Sequence, residues 1–310
     1  MISALSLNPS IDRTLLVENF TVGGLNRVKG QKDVAAGKGV NVALAAAVLG
    51  EEAECIGFMY HDGGAAFEKR LHENGAKSDF VWCDGAVRVN VKVFDAAKGE
   101  ITEINQSGAA VNDALLEKMN ALVREHAKKA DYMILSGSMP PACPVDYYKT
   151  LAEIAAAEGC RIMLDADGDR LREGIKARPF LIKPNRYELE LLTGQTLDSD
   201  AKLLAAANEC IAQGVGVVAV SMGGEGALVT DGKNAWRTPG LKVEVKSTVA
   251  AGDSMLAGIA AGLCKGMPLQ DAFKLGVAAA TARCATPPEE MISAASCQNL
   301  YEQIQMEKIS

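Results

Sequence analysis

The residues with the clearest chemical potential lie in Ser247–Gly258, STVAAGDSMLAG. The residues around Gly252 are small, so a ligand can come close to backbone N–H groups at a helix start. Those amides lack intrahelical partners, and the helix dipole favours negative charge there. Asp253 thus puts a carboxylate where an anion binds, which suits a group that accepts a proton. The plain alternative is that Asp253 is an N-cap. Upstream, the β-rich run Leu241–Ser247 reads as a strand. The expected local order is strand, tight loop, buried helix.

Other polar residues fall at comparable places. Ile2–Leu7 reads as a buried strand, and NPSID after it sets Asn8 and Asp12 at a strand's C-terminal edge, where ligands of open α/β sheets collect. Turn chemistry explains the same residues without a ligand. Gly37-Lys38-Gly39 precedes a helix whose apolar face is Val40, Ala43, Leu44, Ala47 and Val48. Glycines and one cation at a helix start suit an anionic substrate. The spacing is not that of a Walker A loop. In Val87–Phe94 the alternation puts Arg88, Asn90 and Lys92 on one face and the valines on the other.

The elements that must hold these residues alternate in type. Strands are expected at Asp131–Ser136, Arg161–Asp165, Phe180–Lys183 and Val217–Val220. Helices are expected at Asp113–Lys129, Val145–Glu158 and Ser199–Gln213. This alternation predicts a mostly parallel sheet with helices on both faces. Asn8, Ser138, Asn185, Ser221 and Asp253 should then share one rim. Two β excursions, about 12–33 and 87–106, interrupt the pattern and are expected to pair into an antiparallel lid with one polar face. No linker or low-complexity tract divides the chain, so 1–310 is read as one domain. Asp165 and Asp167 read as a strand-end turn, and Glu51 and Glu52 as solvated surface. His61, His72 and His126 read as surface or packing residues.

Composition narrows the class. Apolar residues make up 48% of the chain and charged residues 23%, as in a globular protein. A net charge of −7 argues against a nucleic-acid-binding surface but not against an anionic ligand in one cleft. The eight cysteines show no metal-ligand spacing, and several sit in apolar surroundings, as reduced thiols do. Met1–Leu7 reads as a strand and not as a secretory leader, and no apolar run is long enough to span a bilayer. The expectation is a cytoplasmic protein with no nucleic-acid or membrane partner.

Taken in order, AAGKGVNVA (35–43), SGSMPP (136–141), KPNRYEL (183–189), SMGGEGAL (221–228) and STVAAGDSMLAG (247–258) resemble the ribokinase-like carbohydrate kinases of the phosphofructokinase B family. The resemblance covers essentially the whole chain. NPSIDRT, the Lys of AGKG and VRVNVK are most similar to the phosphosugar branch of 1-phosphofructokinases and tagatose-6-phosphate kinases. The resemblance implies a three-layer ribokinase-like sandwich with a small β-sheet lid. It implies ATP as phosphoryl donor, Mg²⁺, and a ketohexose phosphate as acceptor. Fructose 1-phosphate is the first expectation, with tagatose 6-phosphate or fructose 6-phosphate as alternatives.

Roles follow residue by residue from that resemblance. Asp253 would be the general base, and the amides of Ala250, Ala251, Gly252 and Asp253 the anion hole. Asn185 and Glu188 would hold Mg²⁺ through water. Lys183, Asn185, Ser221, Gly223, Gly226 and Gly252 would line the nucleotide site. Asp12, Gly39 and Asn41 would bind sugar hydroxyls. Lys38, Arg88 and Ser138, with Arg27 from the lid, would meet the substrate phosphate. A homodimer through the lids is expected. Two departures stand out. Ala250 replaces a usual glycine, which is tolerable only at negative φ and leaves a non-catalytic sugar-phosphate-binding protein as a remote reading. The helix after Pro268 carries alanines where relatives place an Asn against adenine.

Overall fold

The computed structural model describes residues 1–310. Strand β1 (Ile2–Ser6) is followed by β2 (Ser10–Val17), β3 (Gly30–Ala36), α1 (Lys38–Val48), β4 (Ala53–Asp62), α2 (Ala65–Glu73) and β5 (Lys77–Ala86). Next come β6 (Arg88–Asp95), β7 (Glu100–Asn105), α3 (Asp113–Ala127), β8 (Tyr132–Ser136), α4 (Tyr147–Ala157), β9 (Arg161–Asp165) and α5 (Gly168–Gly174). The chain continues through β10 (Leu181–Ile182), α6 (Arg186–Thr193), α7 (Asp200–Ala212), β11 (Val217–Ser221), β12 (Ala227–Thr230) and β13 (Ala235–Thr238). Helices α8 (Ala251–Cys264), α9 (Leu269–Cys284) and α10 (Ala294–Gln303) and the short strand β14 (Glu307–Lys308) complete it.

Ten strands form one sheet in the order β14-β13-β12-β11-β10-β9-β8-β1-β4-β5. The run from β11 to β5 is parallel; β12, β13 and β14 add on antiparallel. The central strands are buried along their whole length, as in ISALS of β1 and YMILS of β8. Such continuous apolar runs are what a sheet covered on both faces requires.

Helix α8 lies in this core, and its packing fixes the site. Its small residues meet those of α9 so closely that a Cβ on Gly258 would come 2.7 Å from the Gly276 Cα. Helix α1 packs on β1 in the same way: a Cβ on Gly39 would sit 2.3 Å from the Leu5 carbonyl oxygen. The starts of α1 and α8 are thereby held rigidly.

The lid is a separate four-stranded sheet ordered β3-β2-β6-β7. It is not wholly antiparallel, as the sequence suggested. Its two central strands, β2 and β6, run parallel, Asp12 opposite Asn90 and Thr14 opposite Lys92. Each starts from the rim of the main sheet, so both leave it in the same direction. Leu241–Ser247 also departs from expectation and forms no strand. β14 already occupies the free edge of β13. The Lys246 amide instead donates to the Cys284 carbonyl at 2.8 Å.

Candidate active site

Between the lid and the rim of the large sheet lies a cavity of about 1040 Å³. Asn8, Ser138, Asn185, Ser221 and Asp253 all line it, as the rim argument requires. The polar face of the lid closes the other side, through Asp12, Arg88, Asn90 and Lys92.

Asp253 sits in the first turn of α8 and is 4% exposed. It is not the N-cap. Ala250 holds that position and no side chain caps the helix. The Asp253 Oδ2 accepts from Asn41 Nδ2 at 2.9 Å. Burial pushes its pKa up to about 6, against the nearby positive charge of Lys38. The amides of Gly252 and Asp253 donate to no protein acceptor. Free donors and the helix dipole thus surround a carboxylate that gives up its proton near neutrality.

Ala250 adopts a left-handed conformation, φ 64° and ψ 10°. Negative φ, the condition for tolerating a side chain here, is not met. The turn keeps its shape because both sides are tied down: the Ser254 amide donates to the Ala250 carbonyl at 2.9 Å, and the Val249 amide to Ser247 Oγ at 3.1 Å. A non-glycine residue in this region carries strain of order 1–2 kcal/mol.

Near the start of α8, Asp165 is buried at 2% exposure. Its Oδ2 meets Lys38 Nζ at 3.2 Å and its Oδ1 meets Lys183 Nζ at 3.5 Å. Burial alone would raise the Asp165 pKa, but Lys183 and Lys38 outweigh it and hold it down. Asp165 is therefore no mere strand-end turn. It pairs with two ammonium groups, and one of them, Lys183 Nζ, lies 3.0 Å from where a Cβ on Gly252 would be. The sequence signal was available: Asp165 ends a buried strand on the same rim.

Arg88 also lines the cavity. Its Nη2 donates to Ser138 Oγ at 3.3 Å and to the Asn8 carbonyl at 3.0 Å, and its Nη1 to the Gln106 carbonyl at 2.8 Å. Its partners are neutral, so its charge is left for an anion. Asp12 is held by Lys92 Nζ at 2.8 Å and Asn90 Nδ2 at 3.2 Å.

Asn185 and Glu188 form a capping box on α6: Asn185 Oδ1 accepts from the Glu188 amide at 2.8 Å, and Glu188 Oε2 from the Asn185 amide at 2.8 Å. Both line the cavity, and burial raises the Glu188 pKa. Ser221 and Gly223 line a small adjoining cleft of about 200 Å³. Ala251, Gly39, Gly226 and Arg27 do not line the main cavity. Gly39 serves the α1–β1 packing. Gly226 lets the chain pass the Thr238 carbonyl, which a Cβ would approach to 2.0 Å. Arg27 is exposed on the loop between β2 and β3.

Sequence reading also missed Lys32, Arg70, Arg283 and Glu289 in the lining. His126 is of the packing kind. It is buried, with Nδ1 at 2.7 Å from Glu54 Oε1 and Nε2 at 2.9 Å from Asp79 Oδ2, and it does not line the cavity.

Residues 5–287 match the model of the pfkB family carbohydrate kinases. The chain belongs to that family. The kinase is 33% identical over 313 residues to a 1-phosphofructokinase of Bacillus subtilis, covering 100% of both chains. It is 34% identical over 283 residues to a 1-phosphofructokinase of Borreliella burgdorferi, covering 91% of each. Among solved structures it is similar to phosphofructokinase-2 of Escherichia coli in complex with potassium, with a TM-score of 0.91, 28% identity and 98% of each chain covered. No helix is long and apolar enough to cross a membrane.

Proposed function

We propose that this kinase transfers the terminal phosphoryl group of ATP to the free primary hydroxyl of fructose 1-phosphate, giving fructose 1,6-bisphosphate. The observation that carries the reading is the pairing of a buried carboxylate, Asp253, with free helix-start amides in a cavity that Arg88 also lines. The curated relatives named 1-phosphofructokinase favour this acceptor over fructose 6-phosphate and tagatose 6-phosphate.

In this mechanism Asp253, oriented by Asn41, accepts the proton of the attacking hydroxyl. The Gly252 and Asp253 amides, with Lys38 and Lys183 behind them, take up charge on the transferring group. Phosphoryl transfer needs positioning and neutralisation more than covalent help, and each such donor is worth about 3 kcal/mol. Arg88 and Ser138 hold the phosphate already on the sugar, and Asp12 and Asn41 its hydroxyls. Arg suits that phosphate through its planar fork. Ser221 and Gly223 form part of the nucleotide wall. The polar face of the lid keeps water from the nucleotide.

No cluster of three acidic, His or Cys side chains could hold a metal alone. Glu188 keeps one oxygen outside its capping box, which fits Mg²⁺ bound mostly by nucleotide phosphates and water. Bound there, the ion would neutralise phosphate charge. Leu16, Val22, Leu25, Val28, Ile101 and Ile104 are exposed on the lid and its loops. They support a homodimer through the lids, with Arg27 of this loop close to the paired surface.

The test is ADP release with a panel of phosphosugars. Fructose 1-phosphate should give the highest kcat/KM. A higher value for fructose 6-phosphate or tagatose 6-phosphate would replace the acceptor. No turnover with any of them, together with a raised melting temperature, would favour the binding-protein reading.

A further inference from the structure

Arg283 stands in the last turn of α9 and is 7% exposed. No carboxylate pairs with it. Its Nη1 donates to the Glu290 carbonyl at 2.6 Å, and its Nη2 to the carbonyls of Thr286 and Pro287. Its Nε is buried without a partner. The connection from α9 to α10 thus curls round a single guanidinium and turns three backbone carbonyls towards it. A buried charge is costly unless dipoles or counter-charges replace its water. Here the direct contacts are carbonyl dipoles, with the Glu289 and Glu290 carboxylates near enough to favour the charge but not paired with it. A ring of backbone carbonyls is also the donor set that holds a dehydrated monovalent cation.

The end of α9 and the loop after it reach two parts of the active site. The Cys284 carbonyl accepts from the Lys246 amide at 2.8 Å and the Ser247 amide at 3.3 Å, on the segment that leads into Ala250 and the anion hole. At its other end, Glu289 pairs with Lys32 of lid strand β3 at 2.6 Å. Arg70 Nη2 donates to Met291 Sδ at 3.8 Å, and its Nη1 to the carbonyl of Ala35 at the lid's root. The end of α9 and the loop after it therefore join anion hole and lid, and Arg283, in the last turn of α9, gives the junction its shape.

We propose that Arg283 is a built-in cation that positions the end of α9 and the loop after it, and through them the Ser247–Gly252 anion hole, so that turnover needs no bound monovalent metal ion. The inference rests on the kinase reading above. A guanidinium tethered to the chain is always present and always charged, whereas a free ion must be captured and desolvated. Arg283 acts through the loop and is a positioning residue. Without it, the three carbonyls face an empty space that potassium or a small guanidinium compound can fill.

The experiment compares wild type with Arg283→Met and Arg283→Lys. Tetramethylammonium is the only monovalent cation, and potassium or methylguanidinium chloride is then added. Wild-type turnover should not change on addition. Arg283→Met should lose tenfold or more in kcat, on the order expected for a misplaced anion hole, with the KM for fructose 1-phosphate little altered. Either cation should restore most of that loss, and Arg283→Lys should retain more activity than the Met variant. Potassium should also raise the melting temperature of Arg283→Met but not of wild type. That readout needs no turnover, so a failed kinase assay and a failed cation site can be told apart. A wild type that requires potassium would overturn the proposal, as would a Met variant that is fully active, or folded but rescued by neither cation. Should the Met variant not fold, the Lys variant and the wild-type ion dependence decide.

Discussion

Asn41 Nδ2 donates to Asp253 Oδ2 at 2.9 Å, joining the start of α1 to the start of α8 across 212 positions of sequence. The bond aims a buried carboxylate whose pKa stands at about 6. Asp253 must be ionised to take a proton, so kcat/KM should fall as pH drops through about 6, with a slope of one. A flat profile between pH 5 and 8 would contradict the assignment.

The same burial has a stability consequence. An unfolded Asp titrates near 3.9, and folded Asp253 at about 6. The folded state therefore holds a proton that the unfolded state releases, and stability falls as pH rises through that window. Above it, Asp253→Asn should be the more stable protein by about 3 kcal/mol. Chemical denaturation of both proteins at pH 4 and pH 7.5 checks the sign.

Asp165→Asn removes the charge shared by Lys38 and Lys183. Two buried or half-buried ammonium groups then lose their counter-ion, at a cost of about 3 kcal/mol or more. Turnover should fall more than tenfold even where the variant stays folded, because both lysines lose the carboxylate that positions them. Near-normal kcat in a folded Asp165→Asn would show that the lysines need no such holder.

Ala250→Gly should raise stability by about 0.5–1 kcal/mol, because glycine adopts φ near +64° without strain while adding some unfolded-state entropy. The melting temperature measures it. A clear fall would mean that the Ala250 Cβ makes contacts worth more than the strain.

His126 makes a separate prediction. Its hydrogen bond to Glu54, opposed by burial and aided by Asp79, raises its pKa. The stability this contributes is complete below the unfolded value near 6.5 and is lost as pH rises through the higher folded value. Urea midpoints should decline across that range in wild type and much less in His126→Gln.

Much of this was legible in the sequence. Buried strands such as those at 132–136 and 161–165 are apolar runs bounded by turns, so the parallel sheet and its polar rim follow from the pattern. The alternation of Arg88, Asn90 and Lys92 gave the lid its polar face. What was hidden depends on distant partners. Leu241–Ser247 alternates like a strand, but whether it pairs depends on β14, from the far end of the chain, taking the edge of β13. The parallel pairing of β2 with β6 lies in where both strands depart from the sheet. Asp165 looks like a turn residue until Lys38 and Lys183 close on it. Arg283 sits in a run of small residues that does not reveal the loop wrapped round its side chain.

The most direct test is single-turnover phosphoryl transfer from ATP to fructose 1-phosphate by saturated wild type and Asp253→Asn at pH 7.5. Loss of a general base predicts a rate lower by about 10²–10⁴-fold with sugar-phosphate affinity nearly unchanged. A variant that transfers at the wild-type rate would contradict the account at its centre.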